Sequence, residues 1–301
     1  MPPSHTSQQS NTRLAFLAGF TMIAITAVQF VAARYSLRAD LTAVDIASLR
    51  FAGAGLAFLP IVWWTGPAKL MELGWRRALV LAGLVGLPYP IIINWGLTYA
   101  PATHAAALCP ASIVFFSFLF ARLAFKEVIT TRRLIGIGLI IAGLLLFILP
   151  SLTGVPGVLL GDLLLVGSGI MFATYALLVR HWSVESVTAT AAVSLLSCLP
   201  LPLLHVVAPS GLATAAAVEI VAQLVIQGLL AGAAAIFLYT YAVRQLGPQV
   251  ASLFLPCVPV ATAFTGMIVL GEVPSPLQFI AMLIMTAGMV LPVLIKRDRK
   301  S

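Results

Sequence analysis

The sequence predicts an all-α membrane protein of ten transmembrane helices, arranged as two inverted five-helix repeats. Three observations carry that prediction: an extreme apolar composition, ten apolar runs of spanning length, and a likeness between the two halves at a shift of 145 or 146 positions. Of 301 residues, 61% are hydrophobic and 9% charged, with a mean hydropathy of +1.07. An average soluble domain has about 45–50% apolar and about 25% charged residues. A chain this poor in charge lacks the polar surface to face water, so lipid is its main solvent.

The runs fall at 14–33, 46–64, 78–99, 104–124, 134–149, 158–179, 187–207, 220–243, 250–270 and 277–295. Each approaches the roughly 20 residues that cross a hydrocarbon core. The first follows a short polar stretch; it is too long for a signal-peptide core and lacks a small-residue cleavage site. It is therefore expected to remain as a span. The second ends at Trp64, ahead of Lys69, Arg76 and Arg77. The third carries Pro88 and Pro90, and the fourth Pro110. The fifth is short, with slack at Thr131 and Ile148. The sixth follows a Gly/Pro turn at 154–157. The seventh holds Pro200 and Pro202 and is the weakest run. The eighth contains Gln223 and Gln227, and the ninth Pro256 and Pro259. The tenth stops at a basic tail. The expected organisation is a tail (1–13), a first repeat (14–150), a second repeat (157–295) and a basic tail (296–301).

Charge placement orients the bundle. Ten spans put both termini on one side, and the loops there carry 14 of the 17 Lys and Arg. Only Arg34, Arg38 and Arg50 fall to the other side. The positive-inside rule then places both termini in the cytoplasm of a plasma (inner) membrane. The net charge of +8 is thus spread over short loops. It forms no basic stripe with interleaved aromatics, and no nucleic-acid partner is expected.

The second half repeats the first. Arg34 falls on Arg180, Thr42 and Ala43 on Thr188 and Ala189, and Pro110 on Pro256. Glu127 falls on Glu272, Ile135 on Ile280, and Gly143 on Gly288. Five spans per half is an odd number, so the second half enters the membrane from the opposite side. That arrangement suits two halves rocking about a shared midplane site.

The segment from Gly96-Leu97-Thr98-Tyr99-Ala100 to Leu123-Ala124-Phe125-Lys126-Glu127 resembles the signature region of the EamA family of the drug/metabolite transporter (DMT) superfamily. So does Tyr241-Ala242-Val243 through Leu270-Gly271-Glu272, with the final span Gln278-Phe279-Ile280-Ala281 to Ala287-Gly288. Gly161-Asp162 and Arg50 also fit. Lys126 stands where the family often has Gly, and Thr42 where it often has Pro. The resemblance spans nearly the whole chain. It implies a ten-helix exporter or exchanger of amino acids, nucleobase-like compounds or other small metabolites, with the lipid bilayer as surroundings. Drug efflux by the same fold and a non-transporting interaction protein are the competing readings.

Polar groups deep in a span face a protein interior or a cavity, because lipid cannot satisfy them. Gln29 and Tyr175 occupy equivalent repeat positions, as do Asn94 and Tyr239. These pairs are the expected substrate-binding residues, with Tyr89, Trp95, Gln223 and Gln227 as further lining. The competing reading is interhelical bonding that only holds the bundle together. Pro110 and Pro256 are expected hinges, because a mid-helix proline removes a backbone bond. Glu127 and Glu272 are expected to cap a helix or to pair with Arg. Arg34 and Arg180 read as boundary anchors, and His104 as a loop residue.

The nine acidic residues lie in loops or near span ends, so no carboxylate deep in a span marks an ion relay. Cys109, Cys198 and Cys257 sit in apolar runs and form no disulfide or metal pattern. There is no phosphate-binding loop, zinc motif or serine-hydrolase elbow. No catalytic role, cofactor or metal is expected, and a membrane enzyme lacks its parts.

Overall fold

The computed structural model describes residues 5–65, 73–126 and 130–294. Among these residues are ten helices long and apolar enough to cross a membrane. They are α1 (Thr12–Arg38), α2 (Ala43–Pro60), α3 (Trp75–Tyr99), α4 (Ala102–Phe125), α5 (Thr131–Thr153), α6 (Val158–His181), α7 (Thr188–Val207), α8 (Ala217–Leu246), α9 (Ser252–Leu270) and α10 (Pro276–Val293). No strand occurs among the described residues. All ten lie within a few residues of the hydropathy runs, because span length is set by membrane thickness and read locally.

Several spans are irregular inside. In α3 the chain leaves the helix at Gly86 and resumes at Pro88. The Leu87 N–H freed by the break donates to Ser197 Oγ of α7 at 3.2 Å. Pro88 then opens a helix, where its missing N–H costs nothing. The prolines of this span therefore follow a break rather than kink a continuous helix. In α8 the stretch Leu224–Ala234 is π-helical, which no residue pattern had signalled. It covers the repeat equivalent of the α3 break. In α9 Pro256 lies in a 3-10 stretch, Ser252–Cys257, whereas Pro110 sits inside an unbroken α4.

The helices pack through small residues. A Cβ added to Gly53 of α2 would lie 2.8 Å from the Gly228 Cα of α8, and one added to Gly228 only 2.6 Å from the Gly53 Cα. Gly136 of α5 and Gly288 of α10 meet the same way, each 2.7 Å from the other's carbonyl by the same measure. Without a hydrophobic force between helices in lipid, such close backbone approach supplies much of the attraction. Gly143 faces Met285 and Ala281, while Gly136 faces Gly288. Sequence therefore rises along α5 as it falls along α10, and the two run antiparallel.

Contacts come in pairs related by exchanging the halves. α4 packs on α6 as α9 packs on α1. α2 packs on α8 as α7 packs on α3, α1 on α8 as α6 on α3, and α5 packs on α10. The ends of α1, α3, α5, α7 and α9 meet the beginnings of the helices that follow them. This gathers one face of the bundle, called here the far end. The other face is the terminal end.

Candidate functional site

A cavity of about 210 Å³ opens between α1, α2, α3, α6 and α8. Gln29, Thr26, Phe30 and Ala33 enter from α1, and Arg50 from α2. The second segment of α3 brings Tyr89, Pro90, Ile93, Asn94 and Leu97; α6 adds Phe172 and α8 adds Gln227. The α3 break matters here: a helix restarted at Pro88 places positions 89, 93, 94 and 97 on one wall. Gln227 lies in the π-helical stretch, a distortion that often marks functional positions.

The polar lining is partly fixed by the backbone. Gln227 donates from Nε2 to the Gln29 carbonyl at 3.0 Å. Asn94 donates from Nδ2 to the Ala43 carbonyl at 3.4 Å. The Thr26 hydroxyl donates to the Met22 carbonyl at 2.8 Å. The Tyr89 ring packs on Phe172, with centroids 5.8 Å apart.

Of the residues expected from sequence, Gln29, Tyr89, Asn94 and Gln227 meet at this cavity. Four others are placed elsewhere. Trp95 is 49% exposed on the outer surface of the bundle, because it follows Asn94 by one position and so turns about 100° away around the helix. Tyr175 packs in a separate apolar cluster, its ring 5.7 Å from that of Phe172. Tyr239 packs against the main core. The equivalent positions of the two halves thus face different surroundings. Gln223 is tied to the Ala32 carbonyl at 2.8 Å and to Ser36 Oγ at 2.9 Å, which is interhelical bonding.

Arg50 corrects the sequence reading, which counted it with the charges flanking the spans. It lies eight positions into α2 and lines the cavity.

Over the cavity, the far end is bolted by buried carboxylates. Gly271 ends α9 in the left-handed region, at φ 66°, and turns Glu272 across the bundle. Glu272 Oε1 accepts from Arg34 Nε at 3.1 Å and also from Arg38. Its Oε2 accepts from the Ala102 N–H at 2.9 Å. Arg34 further donates to the carbonyls of Leu97 and Thr98. Leu97 and Ala33 line the cavity, so this latch lies directly above it. Arg34 is therefore more than a boundary anchor, and Glu272 pairs with Arg as expected. Glu127 lies outside the described residues.

A second knot joins α4, α5, α6 and α10. His104 Nδ1 and Asp162 Oδ1 are 2.6 Å apart, with both side chains buried. Ser151 donates to Asp162 Oδ2 at 2.6 Å. His104 Nε2 meets Gln278 Nε2 at 3.0 Å. His104 is thus a buried helix residue, not a loop residue; the loop before α4 is only Ala100-Pro101. A third knot centres on Asp45, whose carboxylate accepts from Ser210, the Gly211 N–H and Thr42. Among the described residues, no group of three or more His, Cys, Asp or Glu is placed to hold a metal ion.

A membrane bundle with a small polar cavity at the junction of five helices is the construction of a small-molecule transporter. Comparison with known proteins agrees. The EamA-like transporter family matches at residues 13–149 and again at 159–294, and the chain belongs to that family. Its members transport rather than catalyse. The protein is therefore a multi-pass integral membrane transporter of small molecules. A curated relative, a probable terminal-alkyne amino-acid exporter of Streptantibioticus cattleyicolor, is 28% identical over 281 residues, covering 89% of this chain and 91% of that protein. A solved crystal structure superimposes with a TM-score of 0.62 at 20% identity, over 93% of this chain and 96% of the other, which supports the fold.

Proposed function

We propose that this protein is a secondary transporter that exports or exchanges small organic metabolites, amino acids foremost, by alternating access. The observation that carries the reading is the cavity shared by α1, α2 and α3 with α6 and α8, roofed by the Arg34–Glu272 latch. A site sealed on one side by ion pairs that join α1, α4 and the α9–α10 corner opens there when those pairs separate. The two halves, 14–150 and 157–295, are the rocking bodies. The antiparallel crossing of the equivalent spans α5 and α10 supports inversion. Both termini lie in the cytoplasm on the positive-inside rule, which makes the far end extracellular. Pro110 and Pro256 serve as hinge points within α4 and α9. Amino acids come first because the curated relative is named for exporting one.

The cavity volume also supports the metabolite reading. Drug-sized ligands occupy pockets of about 300–1,000 Å³, and about 210 Å³ suits a small metabolite better than a drug. The test is counterflow of radiolabelled L-norvaline and related amino acids in proteoliposomes. Gln29→Ala and Asn94→Ala are expected to cut the flux about tenfold while the detergent-purified proteins keep their fold. Unchanged flux in both variants would remove this cavity as the site.

A further inference from the structure

We propose that Arg50 is the carboxylate anchor of the cavity and restricts its cargo to molecules bearing a carboxylate. This rests on the transporter reading and adds the chemical class of the cargo. An arginine inside a span is costly unless something offsets its charge. Other buried ions of the far end have fixed partners: Asp162 has His104, and Asp45 has Ser210 and the Gly211 N–H. Arg34 and Arg38 share Glu272. Arg50 differs. Among the described residues it makes no ion pair and no hydrogen bond, and its one charge-sensitive neighbour is the Tyr89 phenol. No Asp or Glu lines the cavity that it faces.

The cavity therefore carries a positive charge without a resident counterion. A guanidinium presents two parallel N–H donors that match a carboxylate, so an anionic group on the cargo completes the pair that the protein leaves open. The rest of the wall fits the remainder of a small amino acid. Phe30, Ile93, Leu97 and Phe172 offer apolar surface to a side chain, while Gln29 and Asn94 offer neutral acceptors to an ammonium. With neutral acceptors only, the ammonium is accommodated rather than required. The site is thus ordered: carboxylate obligatory, ammonium optional. Its lopsided position in the repeat agrees, because the equivalent of Arg50 in α7 falls among Leu195 and Leu196.

The test uses three matched probes on the full-length protein: L-norvaline, N-acetyl-L-norvaline, which lacks the ammonium, and L-norvalinamide, which lacks the carboxylate. Thermal stabilisation in detergent and counterflow in proteoliposomes are read for wild type, Arg50→Lys and Arg50→Gln. The first two probes are expected to stabilise the wild type and the amide to do nothing. Arg50→Gln is expected to lose tenfold or more of the affinity for both carboxylates, roughly the worth of one charge-assisted hydrogen bond or more. Arg50→Lys recovers only part, because an ammonium cannot make the two-pronged contact. Arg50→Lys also controls for folding, since it keeps the charge in place. Equal binding of the amide, or carboxylate binding that Arg50→Gln leaves intact, overturns the assignment while transport stands. A folded wild type that neither binds nor moves any of the three overturns the assignment together with the amino-acid reading.

Discussion

The two ends of this bundle are closed by different chemistry. At the far end three buried carboxylates, Glu272, Asp162 and Asp45, each gather partners from separate elements, and the Glu272 and Asp162 side chains are no more than 8% exposed. At the terminal end, cations stand over aromatic faces, and Thr188 Oγ1 donates to Glu185 Oε2 at 3.3 Å. Arg180 stands 4.4 Å from the Phe125 ring, and Arg77 5.5 Å from the Trp182 ring. A second hollow of about 270 Å³ opens there beside Arg77, Trp182 and Glu185. Buried ion pairs are expensive to break one partner at a time, about 3–5 kcal/mol. Exposed cation–π contacts are worth about 0.5–1 kcal/mol. Removing one partner of the far-end latch is therefore costlier than removing one of these cation–π contacts.

The largest test of that contrast is Glu272→Ala. It leaves the Arg34 guanidinium buried at the latch without its carboxylate and frees the Ala102 N–H. A loss of about 3–5 kcal/mol in stability is expected. In the same background, a cysteine placed by Ala33→Cys should react faster with a bulky maleimide than it does with the latch intact. Unchanged labelling would mean that the ion pairs do not guard the cavity.

Asp162→Asn sharpens the comparison within the far end. It keeps shape but removes the charge that His104 and Ser151 share. Apparent stability should fall by about 2–3 kcal/mol, read from thermal unfolding in detergent. Labelling at the Ala33 position should stay unchanged, because this knot does not roof the cavity. Faster labelling would merge the two knots into one gate.

The smallest effect belongs to the corner that ends α4. Lys126 sits there in the left-handed region at φ 50°, where the equivalent corner of α9 has Gly271. A non-glycine residue pays about 1–2 kcal/mol for that conformation. Lys126→Gly should therefore stabilise the protein by about 1 kcal/mol in thermal unfolding. A loss instead would show that the lysine side chain contributes more than its backbone costs.

How much of the site was legible follows from the same distinction between depth and direction. Gln29, Asn94 and Gln227 stood out as polar letters in apolar runs, and all three reach the cavity. Arg50 stood in an apolar run too. Its depth in the span was a readable signal, but it was absorbed into the count of flanking charges. Trp95 looked equivalent to its neighbour Asn94 until the helix was oriented. Tyr175 and Tyr239 followed from repeat symmetry. Yet the cavity draws three spans from the first half and two from the second, so equivalent positions do not share its wall.

The sequence by itself determined the ten spans, their lengths, the repeat and the family. Each depends on hydropathy over about 20 residues or on local signatures, and the membrane imposes the rest. Only the tertiary structure decided which face of each helix looks inward. That rotation is set by contacts between distant segments: Gly53 against Gly228, Gly136 against Gly288, the break before Pro88 and the π-helical stretch of α8. The pairing of Glu272 with Arg34, 238 positions away, belongs to the same class. Its Coulomb attraction is strengthened where water is excluded, and that exclusion exists only once the helices have packed.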